Sequence, residues 1–186
     1  MNTLKRLFAL LPFLLLGMTA IAQTTDNSQK ETNYSTSNLF IERLYVHIGF
    51  GASTKHDGMT PAEFTAEIGY RFIPRMYAYF HAGGLYGLYD KEHGQTYTKT
   101  KNILGGGLGY TLYKPENEPI SIDLRGTVAT SVGKADWKHT SYDAMLLFRI
   151  GRGIKADIGI GYKHITSHTA GIGAYNGLAL SLGFGF

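Results

Sequence analysis

The sequence predicts an all-β fold, an eight-stranded antiparallel up-and-down transmembrane β-barrel. Three observations predict it. The first is the closing stretch, where Leu178, Leu180, Leu182, Phe184 and Phe186 alternate with Ala179, Ser181, Gly183 and Gly185. Period two is the mark of a strand, here with one greasy face and one face of small residues suited to a narrow interior. The second is that seven further stretches repeat the alternation. The third is composition: 24 Gly and 13 Tyr in 186 residues suit a barrel with aromatic girdles better than a helical domain.

The chain before the barrel reads separately. Lys5-Arg6, an apolar run from Leu7 to Met18, and Ala20-Ile21-Ala22 form a secretory signal over residues 1–22, cleaved near Ala22. Pro12 interrupts that run, which is too short for a stable helical span, and no later stretch approaches the roughly 18–20 apolar residues a span needs. Residues 23–38 (QTTDNSQKETNYSTSN) are polar and read as a disordered periplasmic lead-in, leaving 39–186 for the barrel. The absence of cysteine excludes disulfides, a lipoprotein anchor and any Cys-ligated metal. Setting aside Lys5 and Arg6 leaves 16 of the 18 basic residues against 14 acidic ones, too balanced for a nucleic-acid binder.

The strands follow in order. The first, Phe40–Ser53, sets Leu44, Val46, Ile48 and Phe50 against Tyr45, His47, Gly49 and Gly51. The second, Ala62–Phe72, sets Phe64, Ala66, Ile68, Tyr70 and Phe72 against Glu63, Thr65, Glu67, Gly69 and Arg71. The third, Met76–Tyr89, has aromatics on both sides; Ala78, Phe80, Ala82, Tyr86 and Leu88 are placed outward and Tyr77, Tyr79 and His81 inward. The fourth, Lys99–Tyr113, sends Leu104, Leu108, Tyr110 and Leu112 out and Gly105, Gly107 and Gly109 in. In the fifth, Ile120–Val132, Ile122, Leu124 and Val128 oppose Ser121, Asp123, Arg125 and Thr127. In the sixth, Thr140–Ile150, Tyr142, Leu146 and Phe148 oppose Asp143, Met145, Leu147 and Arg149. In the seventh, Ile154–His164, Ile158, Ile160 and Tyr162 oppose Lys155, Asp157, Gly159, Gly161 and Lys163. The closing stretch completes the count.

An even number of strands, each with one apolar face, meets the transmembrane-barrel template, and a membrane sheet must close because unpaired edges cannot be hydrated in hydrocarbon. Connections after the second, fourth and sixth strands are tight or rich in Pro and Gly. Those near Thr54–Thr60, Asp90–Thr98, Gly133–His139 and Ile165–Ala174 are longer and polar, which puts both termini in the periplasm. A soluble barrel of lipocalin type, with the faces reversed, would expose a broad apolar belt that soluble proteins avoid.

Within so narrow a lumen, charges of both signs must pair. The lumen network expected from parity comprises His47, Glu67, Arg71, His81, Asp123, Arg125, Arg149 and Asp157, with Glu63, Asp143, Lys155 and Lys163 also inward. Glycines on the seventh, eighth and first strands make one wall thin, filled by large side chains or open as a narrow channel or small-ligand pocket. Register sharpens the picture. A three-residue turn at Ile73–Arg75 pairs Phe72 with Met76 and sets Glu67 opposite His81. An outer loop that puts Ser53 opposite Pro61 sets Glu67 opposite His47 as well. Two imidazoles and a carboxylate side by side form a hydrogen-bonded network or, as the alternative, a metal or relay site. At the loop ends, Lys55, Lys91, Lys99, Lys101, Lys134, Lys138 and Lys163 outnumber Asp57, Asp90, Glu92 and Asp136, which favours contact with lipid phosphates. Each outer loop has a histidine (His56, His93, His139, His168) without metal-ligand spacing.

By pattern, residues 39–186 resemble the small OmpA/OmpX/OmpW-type and opacity-like outer-membrane β-barrels of bacteria. The resemblance implies an outer-membrane location, contact with outer-membrane lipid and lipopolysaccharide, a structural or surface-interaction role without catalysis, and no cofactor. A terminal Phe on an alternating strand resembles the closing strand of such barrels, which implies that Phe186 is a signal to the barrel assembly machinery. The segment His164–Gly171 loosely resembles the His-x-Ser-Asn-Ala-Gly segment of the lipid A deacylase (PagL-like) barrels. Carried over, His164 is the base, Thr166 stands in the place of the Ser and Ser167 in that of the Asn. That chemistry needs a nucleophile, a base and a group to orient the base, and no Asp or Glu follows Asp157. A hydrolase is thus the alternative that this second resemblance implies.

Overall fold

The computed structural model describes residues 43–89 and 97–186, with Lys101 by its backbone alone. Residues 1–38, the expected strand start at Phe40, and Asp90, Lys91, Glu92 and His93 lie outside the described residues. The described chain forms β1 (Leu44–Ser53), β2 (Met59–Ile73), β3 (Met76–Tyr89), β4 (Tyr97–Tyr113), β5 (Ile120–Ser131), β6 (His139–Ile150), β7 (Lys155–Ser167) and β8 (Tyr175–Gly185). Each strand pairs antiparallel with the next, and β8 pairs with β1, so the eight strands form a closed barrel. At the seam, Val46 N donates to Phe186 O at 3.2 Å and Phe186 N donates to Val46 O at 3.0 Å, so the chain's last residue closes the sheet.

Alternation sorts the side chains as the pattern predicts. Phe50, Ile68, Leu108, Val128, Ile158 and Leu182 are all at least half exposed, while Tyr45, Tyr77, Asp123 and Leu147 are at most 1% exposed. On β3, where both faces carry aromatics, Phe80, Tyr86 and Leu88 point out and Tyr77, Tyr79 and His81 are buried. Exposed tyrosines and phenylalanines gather toward both ends of the wall: Tyr70, Phe72, Tyr113 and Phe148 near the turns, Tyr86, Tyr97, Tyr142 and Tyr162 near the loops.

Two connections differ from expectation, and each shows how a barrel absorbs a local irregularity. The β2–β3 turn is Pro74-Arg75 alone, with Ile73 paired to Met76 and a bulge between Arg71 and Ile73. Phe72 therefore does not face Met76. The shorter turn and the extra bulged residue cancel, so Glu67 still faces His81. The β1–β2 connection is a tight hairpin rather than a long polar loop. Asp57 (φ 47°) and Gly58 (φ 76°) both adopt positive φ between His56 and Met59, the requirement of a type I′ turn that Asp-Gly meets best. His47 again faces Glu67.

The interior changes character along the axis. Toward the turns lies a tyrosine stack of Tyr45, Tyr77 and Tyr79 interleaved with arginines; the Tyr45 and Tyr77 rings sit 4.6 Å apart. Toward the loops lies an apolar plug of Met59, Leu85, Ile103, Trp137, Ile165 and Tyr175, every one nearly or fully buried. Between them is a charged middle. Glycines make the packing possible. Tyr77 and Tyr79 face Gly109 and Gly107 across the β3–β4 pair, and each ring lies over its glycine. His47 covers Gly183 and the Tyr175 hydroxyl covers Gly177, so the thin wall expected on β7, β8 and β1 is overlain by neighbouring side chains.

A methyl at Gly109 would fall inside the Tyr77 ring. That ring cannot swing aside freely, because its hydroxyl donates to Asp123 at 3.0 Å. Gly109→Ala is expected to destabilise the barrel by about 1–3 kcal/mol, the usual range for overpacking. Adding Tyr77→Leu should return part of the loss. Identical urea midpoints for Gly109→Ala and the parent chain would contradict this packing.

Candidate functional site

The charged middle is built around Glu67. Adjacent strands bring its neighbours alongside: β1 supplies Tyr45 and His47, β3 supplies His81, and β5 sends Arg125 across the lumen. Glu67 Oε1 accepts from His81 Nδ1 at 2.9 Å and from Arg125 Nη2. Its Oε2 accepts from the Tyr45 hydroxyl at 3.1 Å and lies 3.2 Å from His47 Nδ1, outside hydrogen-bond geometry. His47 Nε2 meets Asp157 on β7, 3.0 Å from Oδ2 and 3.2 Å from Oδ1. His81, Glu67, His47 and Asp157 thus form a continuous chain of titratable groups, none more than 5% exposed.

Toward the turns, Arg149 pairs with Asp123 at 3.0 Å and donates to the Tyr45 hydroxyl at 2.9 Å. Arg125 donates to that hydroxyl at 3.1 Å and to the Tyr79 hydroxyl, also at 3.1 Å, which in turn shares a 2.7 Å hydrogen bond with Thr127. Tyr45 is therefore a hub for two arginines and a carboxylate. Parity alone places it inward and gives no hint of that role. Arg71 stands apart at the turn end, reaching Thr111 at 3.5 Å and stacking 5.0 Å over the Tyr77 ring.

Nearer the loops, Lys163 is bound to Glu63 at 2.7 Å and lies 3.1 Å from Asp143. Lys163 is fully buried, so it does not belong to the basic loop rim expected from the sequence; β7 runs on to Ser167, past its position. His139 is likewise no rim residue. It is the first residue of β6, fully buried against the Trp137 ring, with Nδ1 3.2 Å from the Trp137 carbonyl. Trp137 itself had no period-two signal, since it lies on the β5–β6 connection and enters the lumen from above.

A second cluster lies on the outside of β7 and β8 near the loops. His164 Nε2 is 3.0 Å from Thr166 Oγ1, and His164 Nδ1 is 2.6 Å from Asn176 Oδ1. An amide oxygen only accepts, so Nδ1 carries the proton and Nε2 is free to accept from the Thr166 hydroxyl. The Tyr162 hydroxyl donates to the same Asn176 oxygen at 3.1 Å and holds that amide in place. This is the order of a nucleophile, base and orienting group, with Asn176 where an acid would stand. No sequence signal marks Asn176, because this chemistry calls for a carboxylate in the orienting place. Ser167 is not part of it: its Oγ accepts from Trp137 Nε1 at 3.2 Å, on the other face of the strand.

Among the described residues, no group of three or more His, Asp or Glu has an arrangement that could hold a metal ion. The Glu67 oxygens are already engaged by Arg125 and Tyr45. Compared with protein-family models and with curated proteins, the chain matches none.

Proposed function

We propose that the protein is a small outer-membrane β-barrel of the OmpA/OmpX/OmpW and opacity-like type, sealed across its lumen, with a structural or surface-interaction role in the cell envelope. The observation that carries this reading is the cross-lumen bonding. Arg125 on β5 reaches β1 and β2, His47 on β1 reaches β7, and Lys163 on β7 reaches β2. An eight-stranded barrel is only about wide enough for its side chains, so these bridges leave little section for a path. Above them sits the apolar plug, and a hydrophobic constriction excludes ions by dewetting. The apolar outer wall, with Phe50 and Leu182 more than 60% exposed, suits lipid rather than water. Outer-membrane lipid and lipopolysaccharide are its proposed surroundings, and the barrel assembly machinery its partner through the strand that ends at Phe186. Planar bilayers containing the purified protein are expected to show no channel steps. Reproducible steps from the parent chain would replace this reading with the narrow-channel one.

The Thr166–His164–Asn176 geometry favours one other reading, a hydrolase acting on lipid A acyl esters at the outer wall. A neutral amide does not stabilise the imidazolium that forms on the base as a carboxylate does, so Asn176 supplies at most the orienting part of that role. Mass spectrometry of lipid A decides between the two. Cells making the parent chain and cells making Thr166→Ala are expected to give the same acyl pattern; an acyl chain lost only with Thr166 and His164 intact would make the hydrolase the function.

A further inference from the structure

The outer wall is hollowed at one place. Ala78 on β3 and Gly106 on β4 both fall on the outward parity, among neighbours with large side chains. Ala78 pairs with Tyr70 and Leu108, and Gly106 pairs with Phe80 and Val128. The missing bulk leaves an open groove of about 500 Å³, lined by Leu44, Ile68, Tyr70, Ala78, Phe80 and Gly106. Ile68 and Phe80, which border it, are at least half exposed. The lining is almost wholly apolar. A peptide or a sugar laid there would find no hydrogen-bond partners for its polar groups, a cost that hydrocarbon does not meet. The volume is that of a site for a single ligand.

Charge stands at one end of the groove. Arg75, in the turn between β2 and β3, lies about 10 Å along the strand from Ala78. Arg43 directly precedes Leu44, which pairs with Tyr70 at that same end. Both arginines are exposed, and among the described residues neither guanidinium has a carboxylate within ion-pair distance. A guanidinium matches the planar fork of a phosphate. Apolar groove and cationic mouth together complement an amphiphile with a hydrocarbon chain and an anionic head. We propose that the groove seats an acyl chain of one anionic glycerophospholipid, with its phosphate on Arg75 and Arg43. The inference rests on the membrane placement of the wall proposed above, in which the short turns face the periplasm. The groove then opens to the periplasmic leaflet, the one built of glycerophospholipid rather than lipopolysaccharide.

The test titrates the folded chain, in detergent micelles, with phosphatidylglycerol and with phosphatidylcholine of the same acyl chains, and counts retained lipid by native mass spectrometry. The parent, Arg75→Gln and Ala78→Phe are compared. Both substitutions lie outside the buried network, one in a turn and one on the outer wall, so both variants are expected to fold. The parent should retain one phosphatidylglycerol in preference to phosphatidylcholine. Arg75→Gln should bind phosphatidylglycerol about tenfold more weakly, the loss of one hydrogen bond to a charged group. Ala78→Phe fills the groove and should weaken both lipids alike. Equal retention of the two lipids by the parent means ordinary contact with lipid and overturns the site. Undiminished binding in either variant means a lipid held elsewhere and overturns it too. A dimer that Ala78→Phe dissolves, with no lipid retained, gives the groove to a second copy and has the same consequence. A parent that does not insert into lipid vesicles overturns the membrane reading and this site with it; one that inserts without a lipid preference overturns the site alone.

Discussion

Replacing Glu67 with leucine is expected to destabilise the barrel by about 3–5 kcal/mol, the range for removing one partner of a buried ion pair. The substitution leaves the Arg125 guanidinium, 7% exposed, without its carboxylate, and strips His81 and the Tyr45 hydroxyl of their acceptor. Burial of the uncompensated charge, not the lost attraction, makes up most of the penalty. The double variant Glu67→Leu/Arg125→Met removes both charges and should be more stable than Glu67→Leu alone. That sign distinguishes a coupled pair from two independent sites. Urea titrations of folding into lipid vesicles would measure it, and losses that simply add would dissolve the network as an energetic unit.

On the opposite face, Ile160→Arg is expected to cost about 2–4 kcal/mol, the value for a basic side chain near a bilayer midplane. Ile160 is 47% exposed in the middle of β7, between Leu146 of β6 and Leu180 of β8. In water an arginine at a half-exposed site would be tolerated, so the penalty reports the surroundings of the wall as well as its parity. Folding titrated into vesicles and into a soluble amphipathic polymer should differ. A silent Ile160→Arg in vesicles would remove the membrane placement of this face.

The expected three-residue turn at Ile73–Arg75 is really two residues with a bulge beside it, yet Glu67 faces His81 all the same. At the other end of β2, the polar segment expected to loop out is an Asp57-Gly58 hairpin, and Glu67 still faces His47. Both compensations have one cause. A slip of one residue would turn the whole apolar face inward, so a bulge takes up whatever the turn leaves over.

Period two determined the strand count and which side chains face the lumen, because alternation follows from strand geometry and needs no neighbour. Turn arithmetic on either side of β2 set His47 and His81 beside Glu67. What only the tertiary structure decided is who meets whom across the barrel and from above. Closure of β8 on β1 brings His47 to Asp157, and the stagger of the strands sets the heights at which Lys163 finds Glu63 and Arg149 and Arg125 share Tyr45. Trp137, on a loop without period, fills the lumen because a charged interior open to the loops would leave Met59, Leu85 and Ile165 in water. Asn176 joins His164 because β7 and β8 pair with those two residues directly opposite. Alternation fixes the side a residue faces; only the closed barrel, through its diameter and stagger, fixes the distance to a partner.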